Sequence, residues 1–220
     1  MGIAGTLRSL PSRVRDSIEL EGFWSFAFRI LVSPVYRAIV LGAIPLDAYL
    51  RDAVPLQVAV RTASDEDIES LAILRPELAP ATLRARLRAG HEAFVGVLDN
   101  TSVAFCWATV GEARLGDTRL ALSLRGDELL QYDVFVHPAH RGAGVFNAVS
   151  RAFEVEWLRR GFHTRVGVAA MGRAPYAKNH PYIVATIRTF RLGPFRKIWV
   201  RAYGPDAEYW RERLKELRWA

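Results

Sequence analysis

Two hydrophobic periods alternate along this chain, one of two residues and one near 3.6, and together they predict its elements. Leu56–Arg61 alternates apolar and polar positions as a half-buried strand does. Ser64 with Asp67 three residues on reads as a near capping box, and Ile68, Leu71, Ala72 and Leu74 then recur at helical spacing up to Pro76. A second helix is predicted over Ala81–Arg88, closed by Gly90. Ala93–Leu98 and Ser102–Val110 flank Asp99-Asn100 as the arms of a hairpin. Leu115–Leu124 is a weaker strand between two Gly-Asp pairs. Tyr132–Val136 is β-branched and aromatic and stops at Pro138. Phe146, Val149, Ala152, Phe153 and Leu158 then give a helix that ends at Gly161. Thr164–Ala170 is the next strand, and Ile183–Arg191 with Phe195–Tyr203 reads as a closing hairpin, or as one strand and a basic tail. Pro205–Trp219 is predicted as a charged, mostly solvated helix.

Residues 1–55 follow neither pattern cleanly. Phe23, Trp24, Phe26, Phe28, Ile30, Leu31 and Val32 form one apolar run, and Val35–Leu46 forms another, broken by Arg37, Gly42 and Pro45. Neither reaches the roughly 18 uncharged residues that a membrane-spanning helix needs. The division expected is a helical extension over 1–55 and a main domain over 56–220. The extension reads as two helices packed on the main domain or on a second copy of the chain. Its other reading is an amphipathic segment on a membrane surface, with Arg29 and Arg37 reaching past the aromatic residues.

Composition narrows the function classes. With 220 residues, half of them hydrophobic, the chain suffices for one large domain. The single cysteine, Cys106, lies in the apolar run Val103–Val110, so a reducing, cytoplasmic setting is expected, with the membrane surface as the alternative. No His, Cys and carboxylate set has metal-ligand spacing, so no metal is expected. The net charge of +7 is uneven: residues 131–220 carry 16 basic and 7 acidic side chains, a local +9. Such a field attracts anionic ligands. Nucleic acid is not expected, because the arginines are spread over strands and helices without a reading motif.

The excess coincides with the most telling stretch, Tyr132-Asp-Val-Phe-Val-His-Pro-Ala-His-Arg-Gly-Ala-Gly-Val-Phe146. A strand that feeds a glycine turn at a helix start points free backbone N–H groups at an anion, and the helix dipole adds to them. No Lys-Ser/Thr follows, and G-x-G-x-x-G is absent, so neither the P-loop nor the dinucleotide fingerprint applies. The string resembles the acyl-CoA-binding motif of the GNAT acetyltransferase superfamily, Val-x-Pro-x-x-Arg-Gly-x-Gly and then a small residue. Val136, Pro138, Arg141, Gly142 and Gly144 match, and Phe146 stands at the small position. The order of predicted elements from residue 56 onward is similar to that family's as well.

The resemblance implies an α/β (α+β) fold, with a mixed, mostly antiparallel sheet flanked by helices and splayed at an acyl-CoA cleft. It implies an N-acyltransferase that moves an acetyl or other short acyl group from acyl-CoA directly to an amine of a small-molecule or sugar-type acceptor. Val134, Phe135 and Val136 would hold the pantetheine arm, and Arg141, Gly142, Ala143, Gly144, Val145 and Phe146 the pyrophosphate. Asn179 would touch the cofactor, and Tyr176, or else Tyr182 or a water, would protonate the departing thiolate. Asp133 is the first candidate for the base, since alternation puts it on one face with Gln131, Phe135 and His137; a structural carboxylate satisfied by an arginine is its other reading. Glu128 is the alternate base. Two further readings stand beside this one: transfer of long acyl chains from an acyl carrier protein, and a non-catalytic CoA-binding sensor or scaffold.

Overall fold

The computed structural model describes residues 36–48, 58–170, 181–192 and 194–219. Its centre is an eight-stranded sheet. The strands are β1 (Tyr36–Pro45), β2 (Ala59–Thr62), β3 (Glu92–Leu98), β4 (Thr101–Thr109), β7 (Glu128–Val136), β8 (Thr164–Ala170), β9 (Ile183–Leu192) and β10 (Phe195–Ala202). They lie in the order β10-β9-β1-β8-β7-β4-β3-β2. Every pairing is antiparallel except β7 with β8. A small second sheet joins β5 (Glu112–Arg114), β6 (Leu120–Ser123) and β11 (Arg218–Trp219). Among the described residues the α-helices are α1 (Ile68–Leu74), α2 (Pro80–Arg88), α3 (Val145–Arg159) and α4 (Ala207–Arg213). This is the mixed, mostly antiparallel α/β architecture expected from the sequence.

Local chemistry explains much of it. Ser64 and Asp67 close a reciprocal capping box, and Asp67 also receives both guanidinium nitrogens of Arg61, at 2.7 and 2.6 Å. Asp99 and Asn100 adopt φ of 48° and 60°, the left-handed pair that a two-residue hairpin turn demands. On one face of the sheet, α1 and α2 pack over Val95, Phe105 and Trp107. On the other, Val145, Val149, Phe153 and Trp157 of α3 cover Phe94, Ala104, Cys106 and Leu129. A third cluster gathers Ile39 and Leu41 of β1 with Ile187, Leu120, Leu122, Trp210 and Leu214.

Two expectations need correction. Within the apolar run Val35–Leu46, expected as part of the helical extension, Tyr36–Pro45 is the strand β1, hydrogen-bonded between β8 and β9. A strand paired on both edges and covered on both faces reads as an unbroken apolar run, which sequence periodicity cannot tell from a buried helix. Its buried residues Ile39, Val40 and Leu41 are consecutive. The main fold therefore begins well before residue 56; residues 1–35 lie outside the described residues. The charged helix expected over Pro205–Trp219 is only seven residues of α4, then a short 3₁₀ turn and β11. Buried Trp210, Arg213 and Leu214 dock this segment, so it is not a solvated surface helix.

Candidate functional site

Two strands that begin together and then part create the site. Parallel pairing of β7 with β8 runs from Glu128↔Thr164 to Gln131↔Gly167 and ends there. β7 continues to Val136 and β8 to Ala170, so a gap opens between them. The closed end is pinned by two buried ion pairs. Glu128 at the start of β7 takes both terminal nitrogens of Arg213 from α4, and Arg165 of β8 reaches Glu154 of α3 at 3.0 Å. Burial pushes the Glu154 carboxyl up against the opposing pull of Arg165.

The open end is shaped by a β-bulge. Trp107 faces Tyr132 and Phe105 faces Phe135, so Asp133 and Val134 together oppose the single residue Cys106. Asp133 takes φ of 50°, rare for a residue with a side chain. The extra residue breaks the alternation on which the sequence reading depended. Gln131 lies on the α3 side, on the face of the buried Cys106, whose thiol burial pushes up to about 12. Asp133 instead turns to the α1–α2 side with Tyr132 and Phe135. There its carboxylate, 8% exposed, is ion-paired to Arg75 at the end of α1 and to Arg86 in the last turn of α2, the latter at 2.6 Å. A carboxylate clasped by two guanidiniums anchors charge and is poorly placed to accept a substrate proton. Glu128, the alternate, is committed in the same way.

Sequence reasoning passed over a group beside Asp133. His91, just before β3, meets the Tyr132 hydroxyl through Nδ1 at 2.5 Å, and the two rings cross edge to face. The Arg86 guanidinium lies 5.2 Å from the Tyr132 ring centre and 5.3 Å from that of Trp107. Burial, aided by the charge of Arg86, lowers the His91 pKa, so its imidazole is neutral near neutral pH. Burial pushes the Tyr132 phenol up to about 12. Nothing local to His91 in the sequence marks it, because its partner is 41 residues away.

The glycine turn leads from the open end of β7 into α3. Val136, His140, Arg141, Gly142, Ala143, Gly144, Val145, Phe146 and Asn147 line a cavity of about 570 Å³. Gly142 and Gly144 have φ of 77° and 78°, values at which an L side chain is strained, and Gly144 is the residue that caps the helix. A Cβ built on Gly142 would meet nothing within 4 Å, so its backbone faces open space. Arg141 folds back, its Nε donating to the Val136 carbonyl at 3.2 Å. The first N–H groups of α3 have no acceptor inside the helix and point to the cavity end. Phe146, 46% exposed, sits at the rim, and Val145 is buried beneath it. Gln131 Nε2, where the strands part, is buried without a hydrogen-bond partner. An open backbone cradle and an orphaned donor beside the gap fit an elongated polar ligand with an anionic end. Val136 and residues 141–146 are thus brought together around this cavity, and Val134 and Phe135 precede them on β7, the Phe135 ring stacked on Phe105. Tyr176 and Asn179 lie outside the described residues. No cluster of three metal-ligating side chains occurs among the described residues, and none of their helices is long and apolar enough to cross a membrane.

No protein-family model matches the sequence, and no curated protein matches it. Solved structures do resemble it. One is a functionally unknown conserved protein from Staphylococcus epidermidis, with a TM-score of 0.47 and 10% identity over 74% of this chain and 69% of that one. Another, from Clostridium acetobutylicum, is described as a predicted acetyltransferase with acetyl-CoA; its TM-score is 0.40, at 16% identity over 53% and 84% of the two chains. A ribosomal-protein-alanine N-acetyltransferase from Brucella melitensis has a TM-score of 0.40, at 20% identity over 54% and 82%. At these scores and identities the likenesses assign neither a family nor an activity to this chain.

Proposed function

We propose that the protein is an acyl-CoA-dependent N-acyltransferase that passes a short acyl group directly to an amine. One observation carries the reading: beyond Gln131 the edge of β7 has no strand partner among the described residues, and it opens straight onto the glycine turn and N-terminus of α3. The bound acyl-CoA would supply an activated thioester. The chain's own contribution is binding, orientation and proton handling. The N–H groups at the start of α3 and the Arg141 side chain would hold the diphosphate. The edge of β7 from Val134 to Val136, left without its β8 partner, offers backbone groups to the pantetheine arm. His91, neutral and joined to Tyr132, is the group able to take a proton from an incoming amine. Asp133 holds Arg75 and Arg86 in place around that pair and so acts as a positioning residue. Tyr176, as acid toward the thiolate, and Asn179, as a cofactor contact, complete the proposal from the sequence motif.

Gly144→Trp tests it. The indole would fill the cradle, so calorimetry should show CoA binding abolished while circular dichroism keeps the native spectrum. Unchanged CoA affinity in a folded variant would remove the assignment. Thiol release from acetyl-CoA across a panel of small amines and amino sugars then reads turnover and names the acceptor class.

A further inference from the structure

The outer end of the large sheet carries a pattern that the donor site does not use. Along β10 and just past it, Phe195, Lys197, Trp199, Arg201 and Tyr203 place ring and cation at alternate positions two residues apart. A strand sends such positions to one face, so rings and cations form a single comb. β9 widens it: Leu192 lies opposite Phe195, Phe190 opposite Lys197 and Arg188 opposite Trp199. Lys197 lies 5.2 Å from the Trp199 ring centre and Arg201 5.4 Å from that of Tyr203. This is the α3 side of the sheet. The face of Arg165, which meets Glu154 of α3, continues along the register from Ala169 to Val40, Thr186 and Arg201.

Exposure and charge set this face apart. Phe195 is 72% exposed, Leu192 57% and Trp199 43%, with Leu192 and Phe195 together at the tip of the β9–β10 hairpin. The two strands hold Arg188, Lys197 and Arg201 on this face, Arg191 and Arg196 as a facing pair on the other, and no Asp or Glu. Among the described residues none of these five pairs with a carboxylate. Protecting an edge strand from pairing accounts for the cations. It does not account for an apolar tip and a row of rings left in water.

We propose that this face docks on an anionic lipid bilayer. Leu192 and Phe195 enter the headgroup boundary, Trp199 and Tyr203 lie at the interface where such rings partition, and Arg188, Lys197 and Arg201, the cations on this face, meet lipid phosphates. The aliphatic Leu192 beside Phe195 favours lipid over nucleic acid, which would stack on the rings and leave the leucine unused.

The test is flotation of the full-length protein with vesicles of phosphatidylcholine alone or with 30% phosphatidylglycerol (about a third anionic, to give a cytoplasmic-leaflet-like surface charge). Binding is expected only with the anionic vesicles, weakening as salt is raised. Lys197→Gln and Arg201→Gln should each lower vesicle affinity about fivefold, and Phe195→Ser should lower it further. These positions are exposed, so the melting temperature should hold. A dye placed at Phe195→Cys, with Cys106 buried and unreactive in the native state, should shift to the blue when anionic vesicles are added. The proposal is overturned if anionic vesicles are not bound, or if binding persists unchanged in all three variants, which would place it elsewhere on the chain. It is equally overturned if the dye stays unshifted, or if single-stranded oligonucleotide is held through these residues while vesicles are not.

Discussion

Glu128→Gln separates a structural carboxylate from a catalytic one. Glu128 is 4% exposed, receives both terminal nitrogens of Arg213 and also accepts the Arg125 backbone N–H at 3.0 Å. Arg213, equally buried, spends its other contacts on the Ser123 carbonyl at 3.0 Å and the Tyr209 hydroxyl at 3.2 Å. The amide is nearly isosteric, so packing survives, but the guanidinium is left without a counter-charge in the core. Removing one partner of a buried pair costs about 3–5 kcal/mol, a large part of the roughly 5–15 kcal/mol that a domain has. With a urea slope of about 2–3 kcal/mol/M, the denaturation midpoint should fall by about 1–2 M. The double variant Glu128→Leu/Arg213→Met removes both charges and should recover most of the loss. Activity per folded molecule, read as thiol release well below the midpoint, should stay within about twofold of wild type, since the pair touches only the closed end of the gap. A Glu128→Gln variant of wild-type stability, or one of native stability without turnover, would refute this account and return Glu128 to the role of base.

Three other outcomes follow from the same structure. A Cβ on Gly96 would lie 2.8 Å from Val149 Cγ2 and 3.3 Å from Val58 Cγ1, so Gly96→Ala pushes α3 off β3; it should destabilise by about 1–3 kcal/mol and weaken CoA binding in calorimetry. Asp133→Asn leaves Arg75 and Arg86 facing each other without their shared carboxylate and should cost about 1–3 kcal/mol in urea denaturation, with the pH–rate profile unmoved; a lost basic limb in that profile would instead make Asp133 the base. His91 has a folded pKa below its unfolded value of about 6.5, so below that pH the unfolded chain binds more protons and stability falls as pH falls. His91→Gln should flatten that slope in melts taken from pH 7 to 5 and lower kcat by about 10²-fold, and a slope as steep as wild type's would remove His91 as its source.

The sequence by itself determined whatever depends on neighbours a few residues apart. The capping box of Ser64 and Asp67, the Asp99-Asn100 hairpin and the strand–glycine turn–helix at 132–159 all stand as read, because backbone dihedral limits and side-chain caps act locally. Tertiary structure decided everything that needed a distant partner. The run at 36–45 became a central strand because β8 and β9 offered it two edges, although its residues carry no period that separates strand from helix. Asp133 left the face that alternation assigned it because β4 pairs with β7 one residue short, and a bulge of that kind is set by register between strands. Glu128 turned out to be the partner of an arginine 85 residues later, and His91 that of a tyrosine 41 residues later. Charges and polar groups entering a core must find partners, and which partner is found is a property of the packed chain rather than of any stretch of it.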